Sequence, residues 1–98
     1  MLFVLFQLGA DRYALPADQV IEVLPLVGLK TLPATPHGVS GVVDYRGEPV
    51  PVVDISQLAL DQPAQQRVST RLLMVRYPRL YGGENTLGII VERATELM

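Results

Sequence analysis

The stretch from Val39 to Asp54, VSGVVDYRGEPVPVVD, contains two short apolar runs joined by a polar turn. Valine and tyrosine are prominent in the runs 39–45 and 50–53, and both residue types favour strands. The turn, Arg46-Gly47-Glu48-Pro49, contains a glycine that tolerates a positive φ, as tight hairpins require. The sequence therefore predicts a hairpin here, with Pro51 at an edge or a bulge because proline cannot donate to a ladder.

The other parts of the 98-residue chain have the same organisation. Glycine and proline each occur 8 times and are spread along the chain, so that they separate short apolar runs. This pattern is typical of an all-β domain of small strands. Residues 16–19 fit a single helical turn that begins with proline, and the polar residues 61–70 are expected to be a linker. Further strands are predicted at 2–8, 12–15, 20–24, 29–32, 71–77 and 86–91.

A short helix is predicted directly after the hairpin. Asp54-Ile55-Ser56-Gln57 has the spacing of a capping box, in which an acceptor side chain is followed three residues later by glutamine. The helix that begins there is expected to pack Leu58 and Leu60 inward.

A degenerate internal repeat relates two segments of the chain. Residues 13–24 match residues 87–98 at a constant offset, and acidic residues coincide, among them Glu22 with Glu96. An apolar strand and a turn precede each segment. The repeat predicts a protein of two related lobes.

The composition excludes several classes of function. With no cysteine and one histidine, the chain offers no thiol catalysis, disulfide, cysteine-rich zinc site or histidine-rich metal site, and we expect no cofactor. A net charge of -2 provides no basic surface for nucleic acid. No run reaches the roughly 18 to 20 apolar residues that span a bilayer. We therefore expect a cytoplasmic protein that does not insert into membranes.

Catalysis is not indicated. His37 lies in a loop close to Ser40, but no nucleophile elbow surrounds any serine. Asp44 and Asp54 are interpreted as an exposed strand residue and a helix cap rather than as a paired-carboxylate or magnesium site. A hydrolase that uses His37 and a small-ligand-binding β-barrel remain as alternative functions.

Two charged residues have two interpretations each. Glu22 interrupts an apolar strand on the face of Val20 and Leu24, which suits either a partner-binding surface or a solvent-facing position. Arg46 at the hairpin tip could pair with a partner's carboxylate or could be solvated.

Taken in order, these segments resemble the CheW-like domain family of bacterial chemotaxis. The match covers nearly the whole chain, and its motifs are Phe6–Gly9, Tyr13–Pro16, Val20–Pro25, Val39–Val42, Tyr45–Gly47, Val50–Asp54, Thr70–Leu73 and Leu87–Arg93. The resemblance implies two intertwined SH3-like β-barrels with one or two short helices. It places the first lobe of a single 1–98 domain mainly at 12–60 and a partial second lobe mainly at 71–98.

The resemblance also implies a non-enzymatic adaptor. Such proteins couple methyl-accepting chemoreceptors, through their cytoplasmic tips, to the regulatory domain of a CheA-type histidine kinase. The positions that match the family's coupling residues are Val20, Glu22, Gly41, Arg46 and Gly47. Family members usually continue past the equivalent of Met98, so the second barrel is expected to be incomplete. Its unpaired edges predict a domain-swapped or edge-paired homo-oligomer.

Overall fold

A computed structural model describes residues 2–26, 37–78 and 83–97. The strand predicted at 29–32 lies outside these ranges. Within them, the chain forms seven strands, one 3-10 turn and one helix, in the order β1 (Phe3–Leu8), β2 (Asp11–Pro16), the turn (Ala17–Gln19), β3 (Val20–Pro25), β4 (Val39–Tyr45), β5 (Glu48–Asp54), α1 (Ile55–Leu60), β6 (Arg71–Pro78) and β7 (Glu84–Leu97). The predicted all-β class is confirmed.

The hairpin predicted from residues 39–54 is confirmed. Strands β4 and β5 are antiparallel, and Tyr45 lies opposite Glu48 across the turn. Pro51 precedes Val52, the first residue of β5 that also pairs with β7. The proline therefore occupies a part of β5 that has only one strand neighbour, where its missing N–H costs little.

Strand β7 has 14 residues and is much longer than the strand predicted from sequence. Its residues 84–91 pair with β6, and 88–90 also pair in parallel with β5. Further along, β7 pairs with β1. Val91 is the last residue of β7 that pairs with β6, and Glu92 already pairs with β1. Arg93, with a φ of 50°, lies in the register shift of the β1–β7 pairing. The strand order is β2-β1-β7-β5-β4, and β6 lies between β3 and β7.

The strand pairing supports the internal repeat. The β1–β2 hairpin is followed by β3, which pairs with β6, while the β6–β7 hairpin is followed by the end of β7, which pairs with β1. Two repeat-related pairs, Leu15 with Ile89 and Val20 with Ala94, pack against the same core cluster. Each hairpin thus pairs with the strand that follows the other hairpin in sequence. The lobe boundaries at 12–60 and 71–98 stay predictions.

Two hydrophobic clusters form the core, and β6 contributes to both. Leu73 and Val75 belong to one cluster, and Leu72 and Met74 belong to the other, because successive side chains of a strand point to opposite faces. Strand β6 is therefore buried on both sides. The first cluster is completed by Val4, Phe6 and Val91, and the second by Val50, Val52 and Ile90.

The helix cap predicted at Asp54 is confirmed, and this side chain has a wider role. Its Oδ1 accepts hydrogen bonds from the N–H groups of Ser56 (3.0 Å) and Gln57 (3.2 Å). Its Oδ2 accepts one from the N–H of Ala64 (2.9 Å). In a capping box, the Gln57 side chain would also accept a bond from the Asp54 N–H. These residues lack that bond, because the Gln57 side-chain amide donates to Asp61 and the Asp54 N–H donates to the Gly38 carbonyl.

Two expectations about this region are wrong. Leu58 and Leu60 are 52% and 42% exposed rather than packed inward, since in a six-residue helix Ser56 takes the buried position. Their side chains lie beside the backbone of glycine turns instead of entering the core. Residues 61–70 are not a free linker: the loop is held by Asp54, by a bond from Ala94 N–H to Ser69, and by the burial of Thr70.

Replacing Asp54 with alanine tests this cap. Asp54→Ala removes a buried acceptor of three backbone N–H groups, so we expect the free energy of unfolding to fall by about 2 to 4 kcal/mol. Asp44→Ala, at an exposed position of β4, is the matched control and should change it by less than about 0.5 kcal/mol. Urea denaturation followed by circular dichroism measures both, and equal effects of the two substitutions would contradict the assignment.

Candidate partner-binding site

Three polar side chains connect β3 with the turn between β4 and β5. The Tyr45 hydroxyl donates to Glu22 Oε1 at 2.7 Å, and Arg46 Nη2 donates to the same oxygen at 3.3 Å. The Arg46 guanidinium carbon lies 5.0 Å from the centre of the Tyr45 ring. Along the path β3-β6-β7-β5-β4, the strands β3 and β4 are the two ends. The cluster therefore joins the two ends of this path.

The backbone of the turn places Arg46 at its tip. Arg46 and Gly47 have φ angles of 52° and 83°, and positive φ at both central residues is what a type I′ hairpin turn requires. A Cβ on Gly47 would meet nothing within 4 Å. Glycine is thus required at 47 by the backbone conformation and not by lack of space.

The contacts in the cluster differ in strength. The Arg46 and Glu22 side chains are 70% and 40% exposed, so their ion pair contributes at most about 1 kcal/mol. The bond from Tyr45 to Glu22 is shorter and partly buried. It raises the pKa of the Tyr45 phenol above its ordinary value of 10.0, because the phenol must keep its proton to donate to the carboxylate.

An apolar groove adjoins the cluster. A cavity of about 240 Å³ contains both Val20 and Glu22, and Glu22 is the one charged residue among the described residues that line it. A second cavity of about 140 Å³ shares Val4 and Val23 with the first. We call the two together the β1–β3 groove; its other lining residues are Leu2, Ala17, Ile21, Arg71, Ala94 and Thr95.

The side chains of β3 do not alternate strictly between the two faces of the strand, in contrast to the sequence prediction. The register with β6 shifts between Val20 and Glu22, which makes Ile21 an extra, bulged residue. As a result, Val20 packs against the first core cluster and Leu24 against the second, although strict alternation puts them on one face. Val20, Ile21, Glu22 and Val23 all line the larger cavity of the groove.

Gly41 lies away from the cluster. It is buried in β4, where the register with β5 shifts between Val39 and Gly41. Its φ of 152° is a conformation that other residues rarely adopt. The structure therefore brings Glu22, Arg46 and Gly47 together, connects Val20 through the groove, and leaves Gly41 to shape the strand that carries the turn.

Sequence reasoning missed Tyr45. Its position directly before Arg46, in the last place of a strand, was the available signal. Tyr45 and Glu22 are 23 positions apart in sequence, and they pair only because the fold brings β4 close to β3.

The alternative chemistries gain no support from the described residues. His37 Nε2 lies 3.2 Å from the Gln57 carbonyl and 3.3 Å from Asp61, and no serine is among its contacts in ranges 2–26, 37–78 and 83–97. The same ranges contain no group of three or more acidic, histidine or cysteine side chains placed to hold a metal. None of the helices found there is both long and apolar enough to cross a membrane.

The described residues form an all-β protein with a charged cluster beside an apolar groove. The CheW-like domain model matches residues 2–98. The chain belongs to the CheW-like domain family.

Relatives and a solved structure agree with this membership. The chemotaxis protein CheW of Helicobacter pylori is 29% identical over 94 residues, which are 96% of this chain and 54% of that protein. Protein FrzA of Myxococcus xanthus is 36% identical over 72 residues, which are 74% of this chain and 45% of that protein. The crystal structure of the scaffolding protein TtCheW from Thermoanaerobacter tengcongensis has a TM-score of 0.81 and 26% identity, with 99% of this chain and 63% of that one covered. The chain spans about half the length of the two relatives.

The cluster can be tested through the Tyr45 phenol. Glu22→Gln removes the carboxylate charge, so we expect the pKa of Tyr45 to fall toward its ordinary value of 10.0. Because the folded-state pKa is raised, the bond stabilises the fold fully below the unfolded pKa, and this contribution is lost as pH rises through the folded pKa. The measurement is the ¹³Cζ chemical shift of Tyr45 against pH. Asp44→Asn is the control, and equal Tyr45 pKa values in the two variants would rule out the assigned cause.

Proposed function

We propose that this chain is a cytoplasmic adaptor that couples methyl-accepting chemoreceptors to a CheA-type histidine kinase in bacterial chemosensory signalling. The CheW family is a non-catalytic family of scaffolds and adaptors. The observation that carries the proposal is the Glu22–Arg46 pair beside the apolar β1–β3 groove. A surface of this kind binds a partner without making or breaking a bond.

The groove is proposed as the docking place of the receptor tip. Its valine, leucine and isoleucine side chains supply apolar area to bury, which is the main source of affinity in an interface core. Glu22, the one charge among the described residues of the larger cavity, would select a partner of complementary polarity. Arg46, exposed on the neighbouring turn, extends the same surface.

The regulatory domain of the kinase is proposed to bind end-on at a second surface, through a contact between similar barrels. This part of the proposal is supported by family membership. Two separate surfaces would let the chain hold receptor and kinase at once, so that the receptor's state reaches the kinase through the adaptor.

Binding measurements with two partners test this function. Titration calorimetry of the chain against the receptor-tip segment and against the kinase regulatory domain, both from the same organism, should give saturable binding with a Kd on the order of micromolar. Arg46→Ala and Glu22→Ala should each weaken binding of the receptor segment by about tenfold, as loss of a charge contact in an interface does. Binding of the kinase domain should be unchanged.

Matched controls come from the same chain. Arg12→Ala and Asp44→Ala remove exposed charges of the same sign from β2 and β4 and should leave both affinities unchanged. A folded wild-type chain that binds neither partner would contradict the proposed function. Equal losses in site and control variants would contradict the proposed site.

We also propose that the chain forms an edge-paired or strand-exchanged homo-oligomer. Among the described residues, β2 pairs only with β1 and β4 only with β5, so each exposes one row of backbone donors and acceptors. Light scattering at tens of micromolar protein should therefore give a mass of at least two chains. A monodisperse monomer would be the contrary result.

A further inference from the structure

Tyr45 is in contact with both charged residues of the proposed site. Its hydroxyl donates to Glu22 Oε1, and its ring lies under the Arg46 guanidinium. Glu22 and Arg46 touch each other only through the single 3.3 Å contact between Arg46 Nη2 and Glu22 Oε1. Tyr45 therefore adds a second link between the two charges, beside their direct contact.

The bond from Tyr45 to Glu22 is the stronger of the two bonds that Glu22 Oε1 accepts. It is 2.7 Å long and partly buried, whereas the bond from Arg46 is 3.3 Å long and exposed. A short O–H···O⁻ bond of this kind is charge-assisted, while an exposed ion pair is screened by solvent. The carboxylate would keep its position even when Arg46 moves to another acceptor.

The ring restrains Arg46 in a different way. A guanidinium above an aromatic face is attracted to it without using any of its five N–H donors. Only one hydrogen bond from the Arg46 side chain is made to the described residues. The other donors of this exposed side chain remain for a partner, although the ring limits where the guanidinium lies.

Tyr45 is itself fixed by the core. Its side chain packs against the second hydrophobic cluster, which contains Val50 and Leu72, so it is anchored in a way that the two charged side chains are not. A rigid aromatic residue with a polar end suits the task of orienting flexible neighbours.

We propose that Tyr45 is the positioning residue of this site: its hydroxyl fixes the Glu22 carboxylate and its ring fixes the Arg46 guanidinium, so that the partner meets both charges in one geometry. The inference rests on the proposed function, since the partner is the receptor segment that Glu22 and Arg46 bind. Tyr45 acts through these two residues and need not touch the partner.

Two substitutions separate the hydroxyl from the ring. Tyr45→Phe keeps the ring and removes the hydrogen bond, and it should weaken binding of the receptor segment by about three- to tenfold. Tyr45→Leu keeps apolar contact with the core but removes both restraints, and it should weaken binding as much as Arg46→Ala does. Tyr77→Phe, at an exposed tyrosine of β6, is the control and should leave the Kd unchanged.

A double-mutant cycle distinguishes positioning from a purely structural role. If Tyr45→Phe acts through the carboxylate, it should have no further effect on the Kd in a chain that already carries Glu22→Ala. Additive losses in the double mutant would overturn the proposal. Urea denaturation of every variant ensures that only folded protein is compared.

A readout without any partner keeps this inference separate from the proposed function. The Nε–H signal of Arg46 in ¹⁵N NMR should show a restrained side chain in the wild type, slightly less restraint in Tyr45→Phe and free averaging in Tyr45→Leu. If the wild type binds no partner, the proposed function fails and this measurement still decides the role of Tyr45. An Arg46 signal that is the same in all three proteins would overturn it.

Discussion

The continuity of β7 is the constraint on which the structure depends. One strand of 14 residues pairs with β6, with β5 and finally with β1, and no other described strand has three partners. Ile90 belongs to the second hydrophobic cluster and Val91 to the first, so adjacent residues of β7 contribute to both cores. A break in β7 would remove a strand from each core at once. Val91 is the last residue paired with β6 and Glu92 already pairs with β1, so the strand passes from one partner to the next without a gap.

The position of the site follows from this arrangement. Strand β3 is held against β6, and the hairpin of β4 and β5 is held against β7. The two ends of the path then meet through side chains, with Tyr45 and Arg46 on one side and Glu22 on the other. A contact at this junction is sensitive to how both ends are placed.

Much of the fold was accessible from sequence because it depends on local chemistry. The hairpin at 39–54 and the cap at Asp54 follow from residue types within a few positions of each other, and both are confirmed. The bulge at Ile21 was not predictable, because it depends on how β3 meets β6, some fifty residues away. The inward packing predicted for Leu58 and Leu60 is wrong for a related reason, since an apolar pattern does not show which side of a six-residue helix faces the core.

The same distinction applies to the site. Glu22 and Arg46 were candidates as single residues, but only the fold shows that they contact each other and that Tyr45 contacts both. A resemblance to a family identifies candidate site residues, whereas only the three-dimensional structure shows how those residues contact one another. Gly41 illustrates the difference: it was proposed with the others, and the structure places it in a buried bulge that shapes β4.

An ion pair that is already formed in the free protein affects selectivity. Beside an apolar groove, an unpaired Glu22 or Arg46 would attract many oppositely charged surfaces, whereas a paired one exerts a weaker field. Burying the two charges together costs less than burying either one alone, because each compensates the other. Tyr45 lowers that cost for Glu22 by keeping one strong bond in place. Selectivity of this site would thus come from the whole cluster rather than from either charge alone.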